Sequence, residues 1–329
     1  MYGFEIFHEG LMRSLLQGVR QDTCGHAYLF AGERGLGRHS AAGLLAMAMA
    51  CRTRETAPCG ACDACIQAKG GSNPDIIHID AGEKKSLGVE VIRELAKDAY
   101  VKPFAAAKKV YILNDADSMT EQAQNAFLKL LEEPPAYAVF ILVAENADGL
   151  LQTIRSRCML VQFTPVPEKT VEAYIRRKYP EETERTGFLV RYAKGIPGAV
   201  DQAVDMPEFE ALRQAAAQKL HALLSSRSLS AYAVSDFLEE HKEDAELVFD
   251  FWIDFLRDAM VLQQDALSLV INQDLHETIK KVADSIEEKK LIFALEQVIR
   301  GKWMVRRFVK LQAVALDMSF SIKKALYSK

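Results

Sequence analysis

Short apolar runs alternate with helical patterns up to residue 164 and then stop alternating, and this change constrains the fold more tightly than any single motif. The strand candidates are Ala27-Tyr28-Leu29-Phe30-Ala31, Asp75 to Asp80, Lys109 to Leu113, Ala138 to Val143 and Met159 to Phe163. Between them, Ser40 to Ala50 reads as a helix, and so does a stretch with Val91, Ile92, Leu95 and Ala99 on one face. Residues Ser118 to Glu132 form the clearest helix: Met119, Ala123, Ala126, Phe127, Leu130 and Leu131 repeat at the spacing of one helical face. Ser118 with Glu121 reads as a capping box, and Pro134-Pro135 stops the helix. Strands and helices in alternation predict a mostly parallel sheet covered on both faces.

Thr164-Pro165-Val166-Pro167 closes that region. Two short helices, about Glu168–Tyr179 and Glu182–Lys194, lead to a second break at Gly195-Ile196-Pro197-Gly198. From Pro207 onward the pattern is helical throughout, with Phe249, Trp252, Phe255 and Leu256 in one broad apolar helix. A length of 329 residues suits two or three domains. The expected division is an α/β domain over 1–164, a small helical domain over 165–206 and an all-α bundle over 207–329. Neither internal repeats nor low-complexity tracts interrupt it.

The composition, 49% hydrophobic and 26% charged, is that of a soluble globular protein. A net charge of −4 gives the whole chain no electrostatic claim on nucleic acid, so any DNA contact must come from a local patch or an assembly. Met1-Tyr2-Gly3-Phe4-Glu5 lacks the basic start and apolar run of a signal peptide, and Ala41 to Ala50 is too short to cross a bilayer. The expectation is a cytoplasmic protein without membrane contact. Late in the chain Arg300, Lys302, Arg306, Arg307 and Lys310 cluster. They read as a solvated helix surface, with a DNA-binding face as the alternative, while the interleaved Trp303, Met304, Val305, Phe308 and Val309 read as the buried face of the same helix.

Four of the six cysteines fall in one excursion, Cys51-x7-Cys59-x2-Cys62-x2-Cys65. Four thiolates in a short turn-rich segment can close tetrahedrally on Zn²⁺ at about 2.3 Å per bond, leaving no open position for chemistry. An iron–sulfur cluster and buried free thiols are the alternatives. Cys24 and Cys158 stand apart and read as core or loop residues.

Gly32-Glu33-Arg34-Gly35-Leu36-Gly37-Arg38-His39-Ser40 follows a strand and opens a helix, where a phosphate-binding loop belongs. Gly32, Gly35 and Gly37 fit such a loop. The next two positions should be Lys and then Ser or Thr, but here they are Arg38 and His39. Arg keeps the charge in a planar fork, and an imidazole cannot replace a hydroxyl on Mg²⁺. After the strand Val110 to Leu113, Asn114 occupies the place of the metal-binding Asp, and Asp115 that of the base. Two magnesium-related positions altered together point to a site released from hydrolysis, with nucleotide binding left open. A plain glycine-rich turn without ligand is the other reading.

The glycine loop, the cysteine module after its helix and the run Asn125-Ala126-Phe127-Leu128-Lys129-Leu130-Leu131-Glu132-Glu133-Pro134-Pro135 together resemble bacterial DNA polymerase III clamp-loader subunits of the AAA+ family. His26-Ala27-Tyr28-Leu29-Phe30, Asn73-Pro74-Asp75 and Thr153-Ile154-Arg155-Ser156-Arg157-Cys158 match the same family, so the resemblance runs from about residue 20 to about residue 200. It implies an AAA+ parallel sheet flanked by helices, a helical lid and, in the motif-free last third, an oligomerising collar. The departures from the motor type (gamma and tau) resemble the delta-prime type, as does Gly195-Ile196-Pro197-Gly198 followed by Ala199 and Val200 where the motor type has a sensing arginine.

By the same resemblance, Arg157 of Ser-Arg-Cys would reach in trans to ATP on a neighbouring subunit, with Arg155 a bystander. From the residues alone, Arg157 also reads as an exposed loop arginine or a cap on the short helix before it. The implied partners are gamma/tau and delta subunits, with the sliding clamp and primed DNA met through the assembly. Two alternatives stand beside this reading. One is an ATP-hydrolysing gamma/tau-like motor using Arg38 and Asp115, and the other a zinc-dependent DNA-binding module.

Overall fold

Five strands form where the sequence places its apolar runs: β1 (Ala27–Ala31), β2 (Ile76–Ile79), β3 (Lys109–Leu113), β4 (Ala138–Ala144) and β5 (Met159–Gln162). In this computed structural model, residues 7–82, 86–225 and 231–327 are described, so the N-terminal run Met1 to Glu5 lies outside them. The strands pair in parallel in the order β2-β3-β4-β1-β5. All of β1, β3 and β4 is buried, which is why these runs read as continuous rather than alternating apolar sequence.

The chain divides into two compact units, one running to Pro180 and including Ala193–Ala199, the other made of Glu181–Tyr192 and the residues from Val200 onward. In the first, the helices are α1 (Glu9–Arg20), α2 (Arg38–Ala50), α3 (Asp63–Lys69), α4 (Val89–Ala99), α5 (Glu121–Glu132), α6 (Gln152–Arg155) and α7 (Glu168–Lys178). Alternate residues of β1, β3 and β4 feed two cores. Tyr28, Phe30, Ile112 and Ile141 pack with Met12 and Leu16 of α1 and with Leu44 and Leu45 of α2. Leu29, Tyr111, Phe140 and Leu142 pack with Ile92 and Leu95 of α4 and with Phe127, Leu130 and Leu131 of α5. The sheet is therefore covered on both faces, as the alternation of strands and helices predicts.

The start of α5 differs from the sequence reading. Its N-cap is Thr120, whose hydroxyl accepts from the Ala123 N–H at 3.2 Å. Ser118 instead closes a one-turn 3₁₀ helix, Ala116–Ser118, with its N–H on the Asp115 carbonyl at 2.8 Å and its buried Oγ without a partner among the described residues. The cause is Asp115, whose φ of 46° turns the chain immediately after β3 and moves the capping position two residues on.

The second unit contains most of α8 (Thr186–Ala193) and α9 (Pro197–Asp205), then α10 (Phe209–Ser225), α11 (Ala231–Glu240), α12 (Ala245–Gln263), α13 (His276–Ser285), α14 (Glu288–Arg306) and α15 (Leu311–Tyr327). Pro197 thus opens a helix rather than breaking one, because proline suits the first helical turn. Phe249, Trp252, Phe255 and Leu256 of α12 are buried as expected, and the Trp252 indole donates to the Ala216 carbonyl at 2.8 Å. A polar network fixes the segment before α13. Buried Asp258 accepts from the N–H groups of Ile271 (3.0 Å) and Asn272 (2.8 Å), and buried Arg213 bonds Asn272 at 2.7 Å and pairs with Glu210 and Asp274.

The late apolar residues correct another expectation. Helix α14 buries Leu291, Ala294, Val298 and Gly301, and Gly301 lies so close to the Phe249 ring that a Cβ would stand 2.8 Å from it. Trp303 is on a different face and is exposed, as are Phe308 and Val309, while Met304 and Val305 are half-buried. The helix ends at Arg306, and the Arg307 guanidinium lies over the Trp303 ring at 4.0 Å. Lys302 pairs with Asp250 at 2.5 Å and Arg306 with Glu246 at 2.8 Å, so much of the basic cluster is neutralised on the spot. Among the described residues, no helix is long and apolar enough to cross a membrane.

Candidate functional site

The glycine loop sits between β1 and α2, at the C-terminal ends of the strands. Gly32, Gly35 and Gly37 all have positive φ, and Gly37 caps α2 in the left-handed conformation at φ 82°. Gly35 is also required by a neighbour. Its carbonyl accepts from the Gly198 N–H at 3.0 Å, and a Cβ there would stand 2.9 Å from Ile196 and 3.0 Å from the Gly198 Cα. Arg38, the first residue of α2, is buried at 3% exposure. Burial pulls its guanidinium below the ordinary pKa, opposed by the carboxylates of Glu145, Asp117 and Asp115.

His39 and Asn114, the two positions read from the sequence as departures from a magnesium site, are hydrogen-bonded to each other. His39 Nδ1 meets Asn114 Oδ1 at 2.8 Å, and Asn114 Nδ2 donates to Asp80 Oδ1 at 2.8 Å. An amide oxygen only accepts, so Nδ1 of His39 carries the proton. The backbone N–H of Asn114 bonds the Ile79 carbonyl at 2.9 Å, which places Asn114 immediately beyond β3, in the register expected. Asp80, at the end of β2, was not singled out in the sequence. Only its place one residue past a strand, level with Asn114, could have signalled it.

The cysteine excursion folds back onto α2. Sγ atoms of Cys51, Cys59, Cys62 and Cys65 all lie within 4.8 Å of one another, with Cys51–Cys62 at 4.0 Å and Cys59–Cys65 at 3.9 Å. Four bonds of about 2.3 Å at tetrahedral angles would set the sulfurs about 3.8 Å apart. The group can therefore hold a metal ion. Backbone N–H groups of Cys59 and Cys62 point at the sulfurs of Cys51 and Cys59, both at 3.4 Å. N–H groups of Ala61 and Cys62 pull the Cys59 thiol to about 6, whereas burial pushes Cys51 and Cys65 up. All four could ionise together only with a cation between them. Cys158 is buried elsewhere, its thiol pushed up to about 12, and Cys24 is half-buried.

Arg157 follows α6 and is exposed, with its side chain 37% accessible. Its Nη1 donates to the Thr153 carbonyl at 3.0 Å and its Nη2 to Glu132 Oε1 at 2.7 Å. The capping contact expected of a loop arginine is thus present, and a carboxylate that the sequence did not single out is added to it. Arg155 pairs with Asp148 at 2.6 Å. Gln124, another residue missed, is buried on α5, accepting from the Leu151 N–H at 2.7 Å and donating to the Gly149 carbonyl at 3.2 Å. Its signal was an amide set among apolar positions of one helical face.

A family model described as DNA polymerase III, delta subunit, matches residues 7–167, and one described as DNA polymerase III, delta subunit, C terminal, matches residues 207–312. DNA polymerase III subunit delta' of Bacillus subtilis is 28% identical over 311 residues, 92% of both chains. This chain belongs to the delta-prime family of DNA polymerase III clamp-loader subunits. The tau subunit of the same organism is 30% identical over 309 residues, covering 86% of this chain and 54% of the relative. A gamma subunit-related protein of Thermotoga maritima aligns in structure over 95% of this chain and 99% of its own, at 21% identity and a TM-score of 0.42.

Proposed function

We propose that the chain is the non-hydrolysing member of a clamp loader and supplies Arg157 in trans to ATP held by a neighbouring gamma/tau subunit. The observation that carries the first half is the His39–Asn114–Asp80 chain. A magnesium–nucleotide site needs a hydroxyl and a carboxylate in two of these places, because a hard cation takes oxygen ligands. Here the one oxygen offered by Asn114 is engaged by His39.

The second half is supported by the position of Arg157 on an exposed loop, where its two contacts engage two of a guanidinium's five donors. A positive group brought to the transferring phosphoryl oxygens stabilises the charge spread over them, by about 10³–10⁵ in rate in other NTPases. The four cysteines would hold a structural Zn²⁺, which closes the excursion and leaves no open position. In this reading 1–164 is the AAA+ domain, 165–206 the lid and 207–329 the collar. Delta and gamma/tau subunits are the direct partners, the sliding clamp and primed DNA are met through the assembly, and the setting is the cytoplasm.

Calorimetric titration of the purified chain with ATP, with and without Mg²⁺, tests the reading. Absent binding, or weak binding indifferent to Mg²⁺, is the expected result. Tight Mg²⁺-dependent binding through Gly32, Gly35, Gly37 and Arg38 would overturn it in favour of a gamma/tau-like motor.

A further inference from the structure

Nothing in the physics of α5 asks for an acid at its end. Glu132 is the last residue of the helix and Glu133 its C-cap, so two carboxylates meet the negative end of the helix dipole, where cations are favoured. Glu132 finds its cation outside the helix, in Arg157. A guanidinium is planar, so contacts on both terminal nitrogens, one to Glu132 and one to the Thr153 carbonyl, set the place and the plane of the fork together. The segment that carries Arg157 is tied to α5 a second time through buried Gln124 and the Leu151 N–H.

We infer that Glu132 is a positioning residue, which presets the Arg157 fork for a phosphate group on the neighbouring subunit. The inference rests on the role proposed above for Arg157. A long flexible side chain that must be ordered at the moment of reaction adds to the barrier, and one already ordered does not. The Glu132–Arg157 pair is half-exposed on both sides, 50% and 37%, so its hold is weak enough to be exchanged for phosphate oxygens. Its effect therefore falls on turnover and not on the neighbour's affinity for nucleotide.

A double-mutant cycle in the reconstituted loader tests this, with stimulated ATPase as the readout. Arg157→Ala is expected to remove most of the rate. Glu132→Ala should lower kcat about two- to fivefold, the scale of one exposed ion pair, and leave KM for ATP unchanged. Glu132→Gln, whose amide oxygen still accepts from Nη2, should keep most of the rate. In the Arg157→Ala background, Glu132→Ala should have no further effect. Equal loss with Arg157 already removed would overturn the inference, because Glu132 would then act by another route. An unchanged rate in Glu132→Ala, beside a slowed Arg157→Ala, would overturn it and leave the finger standing. A full rate in Arg157→Ala would remove the underlying role itself, and the four variants distinguish these results.

Discussion

At positions 38, 39 and 114, single atoms decide what the glycine loop can hold. Arg38 keeps the charge that a phosphate loop needs but is buried near three acids, and His39 Nδ1 and Asn114 Oδ1 are spent on each other. The sequence marked these residues as departures from the usual magnesium ligands. It could not show that they would bond together, because residues 75 positions apart meet only once the sheet order is known. A separate residue-scale prediction concerns His221 on α10, whose pKa burial and the Lys281 ammonium lower from 6.5. A depressed folded-state pKa means that the unfolded chain takes the proton first. The contribution of His221 is therefore complete above 6.5 and is lost as pH falls below it towards the lowered folded pKa. Urea unfolding followed from about pH 7.5 to about pH 5 should show this loss, and His221→Gln should flatten that limb of the curve.

Among elements, α5 was the most legible and also the one whose start was misplaced. Its apolar spacing came from the sequence intact, since Ala123, Phe127, Leu130 and Leu131 are buried on one face. Its cap did not, because Ser118 and Thr120 are both good capping residues and only the left-handed turn at Asp115 chooses between them. The two hydroxyls therefore predict different costs. Thr120→Ala should destabilise the chain by about 1 kcal/mol, whereas Ser118→Ala should be nearly neutral. Denaturant midpoints of the two variants, compared side by side, check the assignment. In α14 the reading failed for a related reason. Seven consecutive residues mixing Trp, Met, Val and Phe with Arg do not show which face is inward, and close packing of Gly301 on Phe249 settles it.

For the whole molecule, the sequence carried the order of the strands and the cysteine group. The excursion is joined to the first unit at several points. Cys65 is buried, Arg20 donates to the Ala57 carbonyl at 2.9 Å, and the four cysteines border the core around α2. Chelation is therefore expected to do more than strip an ion. It should lower the thermal midpoint of the chain, because binding to the folded form alone is a stabilising term, and expose four additional thiols to a colorimetric reagent. Cys62→Ser should lower the midpoint in the same way and expose the three thiols that remain in the group. An unchanged midpoint and thiol count after chelation would mean that the four sulfurs hold no metal.

The contact between Gly35 and Gly198 bears on how such chains are read from genomes. A glycine kept by the backbone beside it is under selection whether or not a phosphate ever enters the loop. Lineages that give up catalysis can therefore carry the pattern unchanged, and a search scored on its glycines will count idle copies as working ones. The informative letters are those at 38, 39 and 114.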